Sequence, residues 1–439
     1  MTTEQTPDEA PAETPKPAPE PPLLTLRDGL TPIVDTEEGL AEVCARIAAG
    51  AGPVAIDAER ASGYRYSSRA YLIQLRREGS GTFLVDPIAF GSLPTLQAVL
   101  DGTEWILHAA TQDLPCLAEV GLRPSALFDT ELAGRLLGYP RVGLATLVES
   151  LLGARLAKEH SAVDWSTRPL PEPWLEYAAL DVEVLVELRT LLGAELVAAG
   201  KDEWARQEFE NLRGFEQPAR VDAWRRTSGL HKVRGRRGLG VVRAMWEARD
   251  EIAEQRDVTP GRIIPDSAIV VAAQAMPTDK AALMATRGFH GRGAERYAAR
   301  WVAALQEVAE MDEADLPTRS PRGDGPPLPR AWAEKDPVAA RRLSIARDAI
   351  ATLADSLDLP VENLLTPDYL RRTLWTPPAP RDAATLGPAV AEQLRGYGAR
   401  PWQVELTTPV LVDAIIAAEV EPEPVEAAQP QPEAEAETD

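Results

Sequence analysis

The stretch Pro53-Val54-Ala55-Ile56-Asp57-Ala58-Glu59 closes a short apolar run with two carboxylates. The run reads as a buried strand, being short, apolar and β-branched in part. Residues two apart on a strand point to the same side, so Asp57 and Glu59 address one place. Working outward, Arg69-Ala70-Tyr71-Leu72-Ile73-Gln74-Leu75 and Gly81-Thr82-Phe83-Leu84-Val85 read as two further strands. Gly79, Ser80 and Gly81 make the hairpin between them. Trp105-Ile106-Leu107-His108 is a fourth strand, followed by Asp113 in a turn or first helical turn. Upstream, Asp35-Thr36-Glu37-Glu38 is a capping signal for a helix running to about Ala49.

A second carboxylate group lies far along the chain. Pro171 to Leu192 reads as one helix, with Pro171 and Pro173 near its start, where a missing N–H costs little. Tyr177 and Asp181 are four apart and share a face. Leu175, Leu180, Val184, Leu185 and Leu188 supply an apolar stripe for a sheet. Carboxylates drawn together from distant positions repel one another unless a cation neutralises them, and hard divalent cations take oxygen ligands. Two such cations a few Å apart form a clamp for phosphodiester cleavage. A metal-dependent nuclease is therefore the leading expectation. Each motif alone is weak: Asp113 could be a helix N-cap, and His108 reads as a hydrogen-bonded histidine rather than a ligand. Their order and element types together carry the reading.

These residues resemble the ribonuclease D group of DEDD-type 3′–5′ exonucleases, in its tyrosine subclass. The Asp-x-Glu is Asp57 and Glu59, the second motif in LHAATQDL supplies Asp113, and the tyrosine-x-x-x-aspartate is Tyr177 and Asp181. Phe128-Asp129-Thr130, Gly143 to Leu147, Asp164-Trp165 and Arg168-Pro169-Leu170 are similar to that family too. The resemblance implies an exonuclease domain over 23–215, an α/β fold with a mixed, mostly parallel sheet of the ribonuclease H-like kind. It also implies two small all-α HRDC-like domains, at 217–308 and 330–416. The first rests on Trp246 to Glu251 and Pro265-Asp266, the second on Arg347-Asp348 and Leu359 to Leu365. Residues 309–329 read as a linker. The family further implies two divalent cations, Mg²⁺ or Mn²⁺: Asp57, Glu59 and Asp181 on one, with Asp57 bridging to the other and Asp113 reaching it directly or through water. Tyr177, a phenol with a pKa near 10, orients water rather than acting as base. The implied partner is RNA with a single-stranded 3′ end, tRNA precursors foremost. A DNA exonuclease and a non-catalytic nucleic-acid-binding protein are the alternatives. Arg168 and Lys158 could hold the strand or serve the scaffold.

Composition bounds the rest. The 439 residues call for two or three domains. No apolar run approaches the ~20 residues that span a bilayer, and the N-terminus lacks the pattern of a signal peptide. Two cysteines, Cys44 and Cys116, make neither a disulfide framework nor a zinc pattern. A cytoplasmic monomer without membrane contact is expected. The formal charge of −22 looks wrong for a nucleic-acid enzyme. Much of it lies in residues 1–22 and 419–439, which read as acidic, proline-rich tails. Against it stands His231-Lys232-Val233-Arg234-Gly235-Arg236-Arg237, with a second basic cluster from Arg287 through Arg292 to Arg296. Lys232, Arg234, Arg236, Arg237 and Arg292 are the candidate phosphate contacts. Trp332, Trp375 and Trp402 read as core.

Overall fold

The computed structural model describes residues 20–157, 160, 162–319, 325–379 and 382–420. Most of both acidic tails, Lys158 and part of the expected linker lie outside these. By its contacts the chain divides into two compact units. The first runs to Ala61 and includes Ser68–Glu131 and Arg141–Leu192; the second takes Ser62–Ser67, Leu132–Pro140 and everything from Gly193 on.

The first unit is built on a six-stranded sheet. Its strands are β1 (Ile33–Val34), β2 (Ala51–Arg60), β3 (Ala70–Glu78), β4 (Gly81–Val85), β5 (Glu104–Leu107) and β6 (Ala126–Asp129), in the order β1-β4-β3-β2-β5-β6. β3 is antiparallel to β2 and β4, whereas the β1–β4, β2–β5 and β5–β6 pairs are parallel. The sheet is thus mixed and more parallel than antiparallel, as the resemblance implied. The β3–β4 hairpin turns at Gly79, whose φ of 78° suits glycine. The strands of the middle are buried on both faces: Val54, Ala55, Ile56, Leu72, Ile73, Leu75 and Trp105 are inaccessible. That is why they read as apolar runs rather than alternating ones. Helices α1 (Glu37–Ala49), α2 (Pro94–Leu100), α3 (Leu114–Glu119), α4 (Thr130–Leu136), α5 (Leu144–Leu152), α6 (Glu172–Glu183) and α7 (Leu185–Ala198) follow in chain order. Thr36 caps α1 by accepting from the Gly39 N–H. Cys44 and Cys116 are buried on α1 and α3.

One expectation needs correcting. Pro171 to Leu192 is two helices, broken at Val184. The break follows Glu183, whose buried carboxylate accepts from Arg76 and Thr82 on the sheet and from the Arg27 N–H. Strands β1 and β6 are additions to the four expected.

The second unit is helical. It contains α8 (Asp202–Arg213), α9 (Gly235–Arg256), α10 (Asp266–Ala275), α11 (Lys280–Ala285), α12 (Arg292–Arg296) and α13 (Ala298–Glu310). Helices α9, α10 and α13 close around Val241, Met245, Ile269, Leu283, Phe289 and Trp301. Tyr66 of the 62–67 loop packs on this core, its hydroxyl donating to Asp250. Then come α14 (Trp332–Lys335), α15 (Pro337–Ser356), α16 (Val361–Leu364), α17 (Pro367–Trp375), α18 (Ala383–Tyr397) and α19 (Pro401–Glu419). Trp332 and Trp402 are buried, Trp402 stacking on Trp204 of α8 at 4.9 Å between ring centroids.

Candidate active site

Three carboxylates meet under α6. Oxygens of Asp57, Glu59 and Asp181 all lie within 4.8 Å of one another. The first two come from adjacent same-face positions of β2, and the third from α6, which packs across β2, β3 and β4. Arg60 is the cation that acts on Asp57 and Glu59, and its effect is smaller than that of burial. Burial pushes the Asp57 and Asp181 carboxyls up from their ordinary range. Glu59 is pushed up to about 10, by burial first and then by the negative charge of Asp57, Asp181 and Asp113. A set of hard oxygen donors that cannot all ionise unaided fits a divalent cation by its chemistry.

Asp113 stands just outside this trio and is held separately. It follows a turn at Ala110–Gln112, and its side chain makes no N-cap bond to α3. The turn begins at Ala109, whose φ of 57° is left-handed. The buried Asp129 carboxylate fixes it by accepting from the N–H groups of Ala109 and Ala110. Arg60, at the end of β2, donates to Gln112 and lies 3.7 Å from Asp113. Burial and the charge of Asp57 raise the Asp113 carboxyl, and Arg60 opposes that rise.

Tyr177 lies one turn before Asp181 on α6 and donates its hydroxyl to that carboxylate. Burial, then Asp181 and Glu59, push the phenol well above its ordinary range. It is a proton donor at neutral pH. His160 meets its ring edge-on at 6.2 Å. His108 binds Thr130 through Nδ1 at 2.9 Å, and burial lowers its pKa to about 4.

Sequence reading passed over Arg60, Asp129 and His160 as site neighbours. Arg60 was visible as the residue after the Asp-x-Glu; the other two reach the site only through the fold. Arg168 is placed as scaffold: its guanidinium takes both Asp86 oxygens and the carbonyls of Tyr71, Trp165 and Thr167.

The basic candidates separate. Arg236 donates to the carbonyls of Ala314 and Leu316, and Arg237 to those of Val308, Ala309 and Met311 and to Glu313. Arg234 is exposed at the start of α9. The side chain of Arg292 lies outside what is described. Lys232 instead lines a cavity of about 690 Å³ together with Arg262, Arg287 and His290.

Residues 31–197 match the family described as 3′-5′ exonuclease, 238–305 the HRDC domain, and 325–415 the 3′ to 5′ exonuclease C-terminal domain. A ribonuclease D of Acidiphilium cryptum is 32% identical over 341 residues, 72% of this chain and 84% of that one. The chain belongs to the ribonuclease D family. It is accordingly a 3′–5′ exoribonuclease of a family that uses divalent metal, and it carries an acidic cluster whose donors could hold such an ion. Escherichia coli ribonuclease D is 29% identical over 291 residues, covering 65% of this chain and 76% of that one. Among solved structures, a protein from Bifidobacterium adolescentis aligns with a TM-score of 0.81 at 37% identity, over 90% of this chain and all of that one. The crystal structure of E. coli ribonuclease D shares the fold, with a TM-score of 0.62 at 24% identity over 83% of this chain and 97% of that one.

Proposed function

We propose that this ribonuclease D-family enzyme trims the 3′ ends of structured RNAs, tRNA precursors foremost, releasing nucleoside 5′-monophosphates one at a time. The observation that carries the reading is the convergence of Asp57, Glu59 and Asp181 with the Tyr177 hydroxyl bonded to Asp181. In this reading the catalytic residues are Asp57, Glu59, Asp113, Tyr177 and Asp181. Asp57, Glu59 and Asp181 would hold one cation, Mg²⁺ or Mn²⁺, and Asp57 with Asp113 would serve a second. When bound, the cations supply Lewis acidity toward water and neutralise charge growing on the phosphate oxygens.

The chain's own residues do the positioning. Asp181 and Glu59 fix the place of attack. Tyr177 keeps its proton on Oη and uses the hydroxyl to orient the incoming water. Asp129 holds the turn that presents Asp113, and Arg60 opposes the rise that burial and Asp57 impose on that carboxyl. RNA is bound in addition by the helical unit. There Lys232, Arg262, Arg287 and His290 border one cavity with glycine backbones at Gly229, Gly288 and Gly291, a surface suited to phosphates. Arg234 and Arg292 stay candidate phosphate contacts in this reading, whereas Arg236 and Arg237 brace the end of α13 and the segment after it. Residues 330–416 are read as a second HRDC-like module. No helix among the described residues is long and apolar enough to cross a membrane, and the reading has the enzyme working in the cytoplasm as a monomer.

The test is degradation of matched 3′-labelled RNA and DNA with EDTA, Mg²⁺ or Mn²⁺. Stepwise loss of 3′ nucleotides from RNA, absent in EDTA, is expected. Undiminished turnover in excess EDTA sinks the metal mechanism, and a preference for DNA sinks the substrate assignment.

A further inference from the structure

Gln74 sits on β3 directly opposite Asp57 in the β2–β3 register. Opposed residues of an antiparallel pair share a face of the sheet. That face is the one α6 covers: Arg76, two residues along β3, and Thr82 opposite it both reach Glu183 of α6 from there. Gln74 is fully buried, and neither its Nε2 nor its Oε1 has a hydrogen-bond partner among the described residues. An orphaned primary amide in a sheet core works against folding, and such a group calls for an explanation in a ligand, water or ion. Leu72, its neighbour on the same face, shows that an apolar side chain fits this layer. What distinguishes position 74 is the Asp57 carboxylate beside it.

We propose that Gln74 is a positioning residue for Asp57. With a cation bound, its Nε2–H donates to the Asp57 carboxylate oxygen turned away from the ion. This fixes the rotamer of Asp57 and favours its ionised form. Partners of this kind behind a ligating carboxylate commonly alter metal affinity 10–100-fold. The proposal rests on Asp57, Glu59 and Asp181 being the cation site.

The experiment replaces Gln74 with the near-isosteric Gln74→Met, and with Gln74→Leu should the first fail to fold. Mn²⁺ binding to the full-length protein is measured by calorimetry, and metal-free unfolding by thermal melting. The expected result is Mn²⁺ affinity weakened about tenfold or more, with a metal-free melting temperature equal to or above that of the unaltered protein. Cleavage should then recover at saturating Mn²⁺. Unchanged Mn²⁺ affinity in a folded variant overturns the proposal and leaves Gln74 an uncompensated core amide. Failure of the unaltered protein to bind Mn²⁺ overturns the site reading itself, and is told apart because it needs no substitution.

Discussion

Asp57 is the one carboxylate that every reading of the site shares. It belongs to the trio with Glu59 and Asp181, and its charge also raises Asp113. Asp57→Ala removes a ligand and a repulsive charge together. Cleavage should fall to background while the metal-free protein melts no lower than before, which single-turnover assays and thermal melting check. Tyr177→Phe deletes only a hydroxyl. It should slow the single-turnover rate by about 10²-fold with little change in RNA affinity, the mark of a contact made mainly in the transition state. An unchanged rate removes the water-orienting role. The raised carboxyls also set a pH dependence. Folded, metal-free protein keeps the Glu59 proton to about pH 10, whereas an unperturbed glutamate loses it near 4.5. The folded state then binds more protons than the unfolded one, so metal-free stability should fall as pH rises through that window. Cation binding expels those protons, so stabilisation by Mn²⁺ should grow with pH. Melting curves across pH with EDTA or Mn²⁺ check the sign. At this scale the five acidic-site residues were legible because each sits in a local pattern. Gln74 and Asp129 were not, because their meaning lies in strands and turns that sequence spacing does not bring together.

At the scale of elements, β2 was legible because its apolar run ends in charged residues of strand period. The β3–β4 hairpin was legible because glycines and a serine interrupt two apolar runs. β1 is two residues long and β6 four, too short for periodicity to announce. The break between α6 and α7 was hidden because both halves carry apolar residues at helical spacing. Only the buried pull of Arg76 and Thr82 on Glu183 marks it. Arg168 shows the same limit: sequence allowed either a strand contact or scaffold, and tertiary packing gives it five oxygen acceptors. Arg168→Ala should therefore act on stability. It leaves the mostly buried Asp86 carboxylate without its cationic partner, only the Ile88 N–H among the described residues still donating to it, which costs about 1–3 kcal/mol. Denaturant titration should show a lower midpoint, with the affinity of the folded protein for RNA nearly unchanged. A large affinity loss at unaltered stability would return Arg168 to the substrate path.

For the molecule as a whole, the difficulty is a net charge of −22 on an enzyme of polyanions. The answer offered by the fold is local concentration of positive charge rather than overall balance. In sequence, Lys232 to Arg237 looks like one continuous basic patch. The helical unit divides it: Arg236 and Arg237 are bonded to carbonyls at the end of α13 and just after it, and Lys232 is joined at the cavity by Arg262, Arg287 and His290 from elsewhere. No spacing rule could have placed Lys232 and Arg262 at one cavity, because the segments that carry them come together only in the folded helical unit. If these cations bind RNA phosphates, each contact releases counterions. The logarithm of affinity then falls against the logarithm of salt with a slope of about 0.7 per contact for a single strand. Changing Lys232, Arg262 and Arg287 together to alanine should weaken binding of a tRNA-like RNA and flatten that slope by about 2. Changing Arg236 and Arg237 instead should lower the melting temperature and leave the slope where it was. The comparison is made on full-length protein across one salt series. Equal slopes for the triple variant and the unaltered chain would make the cavity a solvated surface. A flattened slope in the Arg236 and Arg237 variant would return the continuous patch to the RNA path.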